Sequence, residues 1–180
     1  MVNKMTRWNY LEPFLFTNDA LHLQDISQMI GENHTTVRNH LNQFAQDGFL
    51  KVSKKGRLTL YQINKEFSLG IDYLSIAEKE FLIKKAQNPI LKELILDLHT
   101  LTNQPLILFG SVVTDFNTAQ DIDMICIDKI DSRSLEKKYR KSFHTLQVNN
   151  LNDLKLALKN EVKKKHISIS GVEQVVKWLQ

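Results

Sequence analysis

The chain has 180 residues, 42% of them hydrophobic and 24% charged, which is the ordinary composition of a soluble globular protein. No apolar run reaches the roughly 20 residues of a membrane-spanning helix, and MVNKMTRWNYLEPFLF lacks the pattern of a signal peptide. The net charge of +4 permits nucleic-acid binding without requiring it. The single cysteine, Cys126, lies in an apolar run, and these features together predict a cytoplasmic protein without a membrane partner.

Residues 1–66 predict a small domain of three helices followed by two strands. A first helix is expected over WNYLEPFLF, then an extended ALHL and a second helix over residues 24–30. Gly31 ends that second helix, whose apolar face is expected to hold Ile26, Met29 and Ile30. The third helix is expected from about residue 34 to residue 46, capped by Asn33, with a buried stripe of Val37, Leu41 and Phe44.

The segments FLKVS and RLTLYQI predict a hairpin whose connection, KKG, is basic. Helix, turn, helix and hairpin, over DISQMIGENHTTVRNHLNQFAQDGFLKVSKKGRLTLYQIN, resembles the winged helix-turn-helix family. The resemblance implies that the third helix enters the major groove of double-stranded DNA and that the hairpin contacts the backbone. The DNA-binding residues it implies are Thr35, Thr36, Arg38, Asn39 and Asn42 on the helix, and Lys54, Lys55 and Arg57 on the wing. A solvated helix face, or a winged helix that binds protein, is the alternative interpretation.

Residues 67–103 predict two amphipathic helices that join the halves of the chain. The first is expected over IDYLSIAEKEFLIKKAQ. The second is expected over NPILKELILDLHTL, with Asn88 as its cap and Pro89 in its first turn. Its apolar stripe holds Leu91, Leu94, Ile95 and Leu98. Helices of this kind either cover the following sheet or pair with a second chain, and the latter use predicts a homodimer.

Residues 104–180 alternate strands with helices, so the fold class is expected to be α+β with a small mixed sheet in this part. Strands are predicted over PLILF, DIDMICI, FHTLQV and HISI, with helices over SRSLEKKYRKS and LNDLKLALKN. A closing helix is predicted to begin with a Ser170/Glu173 capping box and to bury Val172, Val175, Val176 and Leu179.

Two aspartates stand at the start of one of these strands. Asp121 and Asp123 point to the same face, because side chains alternate along a strand. Unpaired carboxylates beside apolar neighbours are costly, and a hard cation such as Mg²⁺ is one remedy. A plain structural role, with Asp121 capping the strand and Asp123 paired to a lysine, is the other. Gly110 and Ser111 end the preceding strand, where a backbone without a side chain and a hydroxyl group suit a phosphate.

The stretch FGSVVTDFNTAQDID resembles the Gly-Ser and Asp-x-Asp motif of minimal nucleotidyltransferases, relatives of DNA polymerase beta. The resemblance covers residues 104 to about 150. It implies that Gly110 and Ser111 hold a nucleoside triphosphate and that Asp121 and Asp123 are catalytic ligands of Mg²⁺. Active members carry a third carboxylate on the next strand, but FHTLQVNN has none and offers His144 and Gln147 as its nearest polar groups. Asp115 also departs from the pattern, by adding an acid near the expected phosphate.

Three functions are compatible with these residues. The first is a DNA-binding transcriptional regulator whose nucleotidyltransferase domain is degenerate and binds Mg²⁺–nucleotide. The second is an active nucleotidyltransferase that modifies a protein or small-molecule acceptor, as antitoxins of this superfamily do, with another acid such as Glu161 replacing the missing one. The third is a pure interaction module. The missing carboxylate favours the first over the second, and the basic wing favours it over the third.

Overall fold

The structure is a computed structural model that describes residues 5–180. Helices and strands are both present, with two small sheets, in agreement with the predicted α+β class. The chain divides into two compact units at Glu80 and Phe81, inside one helix. Within residues 5–180, no helix has the length and apolar character needed to cross a membrane.

The first unit opens with a 3₁₀ helix, Arg7–Leu11, and a short helix α1, Glu12–Leu15. The helical segment predicted there is present, but it is divided into a 3₁₀ and an α part, and Pro13, whose ring nitrogen has no hydrogen to donate, lies in the first turn of α1. Strand β1, Leu21–His22, leads into helix α2, Leu23–Ile30.

Helix α3, His34–Gln46, has the predicted bounds. Asn33 Oδ1 accepts a hydrogen bond from the Thr36 backbone N–H at 2.9 Å, which confirms the predicted cap. Val37, Leu41 and Phe44 are buried, as the periodicity predicted. The turn that separates α2 from α3 begins at Gly31, whose φ of +77° is a conformation that glycine adopts without strain.

Strands β2, Leu50–Lys55, and β3, Leu58–Ile63, form an antiparallel hairpin, and the sheet order is β1-β3-β2. Aromatic rings then fill the space between α3, the hairpin and the start of the next helix. Phe44, Phe49 and Tyr73 lie with ring centroids 5.2 to 6.1 Å apart, and Trp8 and Phe67 extend this cluster. Met29, expected in the core, is exposed on α2, whereas Ile26 is fully buried.

Helix α4, Gly70–Lys85, spans the division between the units, and helix α5, Pro89–Leu101, follows it. Asn88 Oδ1 accepts from the backbone N–H groups of Ile90 and Leu91, both at 3.0 Å, which confirms the predicted cap. The predicted stripe of α5 is also confirmed: Leu91, Leu94, Ile95 and Leu98 are all buried.

The second unit contains a four-stranded sheet of order β6-β5-β4-β7. Its strands are β4 (Leu106–Phe109), β5 (Asp121–Cys126), β6 (Ser142–Gln147) and β7 (His166–Ser170). Strand β4 runs antiparallel to β5 and β7, and β5 runs parallel to β6, so the sheet is mixed. Its helices after α5 are α6 (Ser111–Thr114), α7 (Arg133–Tyr139), α8 (Leu156–Lys164) and α9 (Val172–Leu179).

The core of this unit lies between the sheet and its last helices. Ile107 and Ile125 of the sheet pack with Leu151, Val162 of α8, and Val175, Trp178 and Leu179 of α9. The sequence periodicity of α9 missed the buried Trp178.

Two sequence predictions fail in this unit. A helix was expected from residue 151, but Leu151–Asp153 is a separate 3₁₀ turn, closed because Asp153 Oδ2 accepts from the Asn150 backbone N–H at 3.2 Å. The Ser170/Glu173 capping box is also wrong. Ser170 belongs to β7 and its hydroxyl donates to the Gln104 carbonyl, while Gly171 takes the cap position.

Candidate functional site

Helix α3 presents a polar face on the side opposite its buried stripe. Thr35, Arg38, Asn39 and Asn42 are all exposed, at the spacing of one helix face. Thr36 is half-buried and its backbone N–H is already bonded to Asn33. The face therefore combines a hydroxyl, a guanidinium and two amides, groups that can bond to the edges of bases or to phosphate oxygens.

One of these side chains is held in place by the hairpin. The Tyr61 hydroxyl of β3 donates to Asn42 Oδ1 at 3.0 Å. Burial raises the pKa of Tyr61, and the positive charge of Arg38 opposes that rise. The side-chain amide of Asn39, by contrast, forms no hydrogen bond among residues 5–180. Asn39 is therefore the freer of the two amides to pair with an external group.

The hairpin carries the basic residues, but not in the predicted places. The sequence prediction put Lys54 and Lys55 in the connection, whereas both lie in β2, where Lys55 faces Leu58. The connection is the two-residue turn Gly56-Arg57, with Gly56 at a φ of +62°. Lys54, Lys55 and Arg57 are all exposed, so the tip is a solvated cationic surface.

In the second unit, Asp121 and Asp123 occupy the start of β5 and share a face of the sheet. Their side chains are 41% and 30% exposed, whereas Ile122 and Met124 on the opposite face are fully buried. The two carboxylates thus lie at a solvent-accessible edge of an apolar sheet, where an ionised group keeps part of its hydration.

Gly110 approaches Asp123 closely. It has φ +76° and ψ −143°, a region of backbone conformations that only glycine enters readily. A methyl group at its Cα would lie 2.9 Å from Asp123 Oδ2, so the aspartate side chain occupies the space that any other residue would need. Ser111 follows as the exposed first residue of α6. The structure therefore brings Gly110 and Asp123 together.

The imidazole of His144 lies between the two aspartates. Parallel pairing of β5 with β6 sets His144 beside Asp123. Its Nδ1 is 3.2 Å from Asp123 Oδ1 and 3.6 Å from Asp121 Oδ2. Gln147, the other polar residue predicted to be near, pairs with Cys126 at the far end of β5. The strand whose sequence lacks a third carboxylate therefore places an imidazole beside the two aspartates.

The surroundings limit what this site can hold. Asp115 Oδ1 accepts the Asn117 backbone N–H at 2.9 Å, so this acid stabilises its own loop. In the described part of the chain, no three His, Cys, Asp or Glu side chains form a metal-binding group. Two carboxylates nevertheless suffice for Mg²⁺ in the arrangement in which substrate phosphates and water supply the other ligands. Asp121 and Asp123 are the two carboxylates at this edge of the sheet, and His144 contacts both.

Comparison with known proteins identifies no relative: no family model, no curated protein and no solved structure matches this chain.

Proposed function

We propose that this chain is a sequence-specific DNA-binding protein, with α3 as its recognition helix and the β2–β3 hairpin as a backbone contact. The observation that carries the proposal is the exposed row of Thr35, Arg38, Asn39 and Asn42 on a helix whose other face is fully buried. An α-helix fits the major groove of B-form DNA, where arginine pairs with guanine and asparagine with adenine. The order α2, turn, α3, hairpin supports a winged helix-turn-helix arrangement.

The chemistry of the hairpin and of helix α3 indicates different roles for them in DNA binding. Lys54, Lys55 and Arg57 are flexible cations at a hairpin tip and suit phosphate, which positions the protein without reading sequence. Arg38 and Asn39 offer directional donors and acceptors. With a net charge of only +4, non-specific attraction is modest, and base contacts carry more of the affinity.

The test uses the full chain and a duplex selected from a random library, with binding followed by fluorescence anisotropy at several salt concentrations. Arg38→Ala should weaken binding to the selected duplex by roughly 1–3 kcal/mol and relax the preference at one position. Lys55→Ala should reduce the slope of log K against log salt by about one, and by a similar amount for every sequence. Arg133→Ala, an exposed arginine of the second unit, is the matched control.

Two results would contradict the proposal. One is a parent protein that binds no duplex at low salt. The other is a pair of variants, Arg38→Ala and Lys55→Ala, that both bind like Arg133→Ala.

The second unit supports a further candidate function, the binding of a Mg²⁺–nucleotide, as in a degenerate nucleotidyltransferase. The supporting observation is the contact of Gly110 with Asp123 at the edge where Asp121 also lies. With His144 in place of a third acid, the site has no carboxylate on β6 to activate an attacking group. We therefore propose a regulator whose second unit binds nucleotide with little or no transfer.

Incubation of the protein with radiolabelled nucleoside triphosphates and Mg²⁺ separates this proposal from an active, antitoxin-like enzyme. Label retained on a filter but removed by denaturation would support binding alone. Label transferred covalently to a protein or small-molecule acceptor would support the enzyme instead.

A further inference from the structure

A cavity of about 330 Å³ lies in the second unit between α5, the loop after α6 and the end of α7. The charged residues in its wall are one acid, Glu93, and three bases, Lys138, Arg140 and Lys141. Phe116 and Asn117, from the loop after α6, also line the cavity. Its volume is at the lower end of the range for small-molecule sites.

The first of the three bases is already neutralised. Lys138 Nζ lies 2.9 Å from Glu93 Oε1 and 2.7 Å from Asp97 Oδ2, and the Tyr139 hydroxyl donates to the same Asp97 oxygen at 2.5 Å. The hydrogen bonds from Lys138 and then Tyr139 lower the pKa of Asp97. Lys138 is therefore paired with two carboxylates, Glu93 and Asp97, and has no positive charge to offer, so the positive charge available to a ligand comes from Arg140 and Lys141.

The ammonium group of Lys141 is fixed at the cavity wall. It donates to the Ala119 carbonyl and lies 5.0 Å from the centre of the Phe116 ring. Neither partner is an acid, so the charge of Lys141 is not cancelled by these contacts, and the ammonium group keeps donors for another acceptor.

Arg140 is held in a strained conformation at the cavity rim. It ends α7 with φ +52° and ψ +41°, and it is the sole residue other than glycine with a positive φ in residues 5–180. Its side chain is exposed and forms no ion pair within that range. A helix end of this shape favours glycine, so Arg140 occupies a position whose backbone conformation suits a residue without a side chain.

From this geometry we propose that the cavity binds a phosphate-bearing small molecule, with its phosphate on Arg140 and Lys141. A guanidinium and an ammonium that lack acidic partners form strong, charge-assisted hydrogen bonds to phosphate oxygens. The Asn117 side chain adds a neutral donor. Inorganic phosphate, pyrophosphate and a mononucleotide share this chemistry.

The proposal does not depend on DNA binding by the first unit, nor on metal binding by the aspartates. The cavity and the carboxylates are nevertheless neighbours, because Lys141 precedes Ser142, which pairs with Asp121 across the sheet.

The test is calorimetric titration of the full chain in phosphate-free buffer with inorganic phosphate, pyrophosphate, AMP and adenosine. The parent should bind the three phosphate-bearing probes and not adenosine. Arg140→Gly should lose about ten- to hundredfold in affinity, the effect of one or two charge-assisted hydrogen bonds. Because glycine suits this backbone conformation, the variant keeps its fold, which a circular dichroism spectrum and a thermal melt would verify.

Two controls separate this site from its surroundings. Arg133→Gln removes an exposed arginine outside the cavity and should leave the affinity unchanged. Removal of divalent cations with EDTA should also leave pyrophosphate binding unchanged, which distinguishes the cavity from a metal-dependent site at the aspartates. Tighter binding of AMP than of phosphate would identify a nucleotide as the ligand, and equal binding would identify free phosphate. Equal affinity of parent and Arg140→Gly, or binding of adenosine as tight as AMP, would overturn the proposal.

Discussion

Replacement of Arg140 by glycine should increase the stability of the second unit. A gain in stability is unusual for a substitution that removes a charged side chain. Arg140 adopts the left-handed conformation at the end of α7, where its Cβ is crowded by its own backbone. Its side chain is exposed and forms no ion pair with residues 5–180, so glycine forfeits no ionic contact of the folded state.

Two terms of opposite sign set the magnitude. An L-residue in the left-handed region costs roughly 1–2 kcal/mol, which glycine avoids. Glycine in turn loses about 0.5–1 kcal/mol more backbone entropy on folding. The net effect should be a stabilisation of up to about 1.5 kcal/mol, with a central value of about 0.75 kcal/mol. For a unit of this size, the central value corresponds to a rise in melting temperature of roughly 3–6 °C.

The fluorescence of Trp178 provides the assay. The chain has two tryptophans, and Trp178 lies in the core of the second unit while Trp8 lies in the first. In a Trp8→Phe background, urea unfolding followed by emission therefore reports the second unit alone. Arg133→Gly is the matched control at the other end of α7, where glycine should destabilise by up to about 1 kcal/mol.

The expected result is that Arg140→Gly raises the urea midpoint of the second unit and that Arg133→Gly lowers it. If Arg140→Gly lowered the urea midpoint as much as Arg133→Gly, the arginine would be making a stabilising contact that outweighs its backbone strain. The assignment of Arg140 to an external ligand would then lose its basis.

Three further predictions concern the rest of the chain. Asp123→Asn should abolish Mg²⁺-dependent nucleotide binding in calorimetric titrations, since it removes one of two charged ligands, and equal affinity in parent and variant would show a purely structural pair. The pKa of Asp97 is lowered first by the hydrogen bond from Lys138 and then by that from Tyr139, so its stabilising effect is present above the ordinary carboxyl pKa and is lost as pH falls through the lowered one. Urea midpoints of the second unit should therefore fall more steeply below about pH 4 in the parent than in Asp97→Asn, and parallel curves would contradict this. The chain should also be a homodimer, which light scattering at tens of micromolar would show as twice the chain mass, with Leu96→Asp, at an exposed apolar position of α5, shifting it toward the monomer.

The sequence predicted best those elements whose signals are local. Helix α3 was predicted to the residue because Asn33 caps it, apolar residues recur along one face and a glycine lies beyond its end. Asn88 and Pro89 likewise predicted where helix α5 begins. The shared face of Asp121 and Asp123 followed from alternation along one strand, which needs no knowledge of the other strands.

Features that depend on partners distant in sequence were not predictable. His144 was identified from the sequence as one of two nearby polar groups, but its contact with both aspartates requires β6 to pair in parallel with β5 in one particular register, and no local pattern determines that. The lysines of the hairpin were misplaced because a two-residue turn at Gly56-Arg57 lengthens β2 by two residues. The cavity at Arg140 is lined by three segments that are distant in sequence. The sequence showed only a run of basic residues there, which is equally typical of the solvated end of a helix.

The position of Cys126 makes it possible to measure, by a chemical reaction, how often strand β5 of the second unit becomes exposed. The thiol is fully buried at the end of β5, and burial, with a smaller effect of Asp128, raises its pKa. As the single cysteine of the chain, it can react with an alkylating reagent only when β5 becomes exposed. The rate of alkylation under native conditions would thus measure how often this sheet opens. A ligand that binds the second unit should slow that reaction in proportion to its occupancy, whatever its identity.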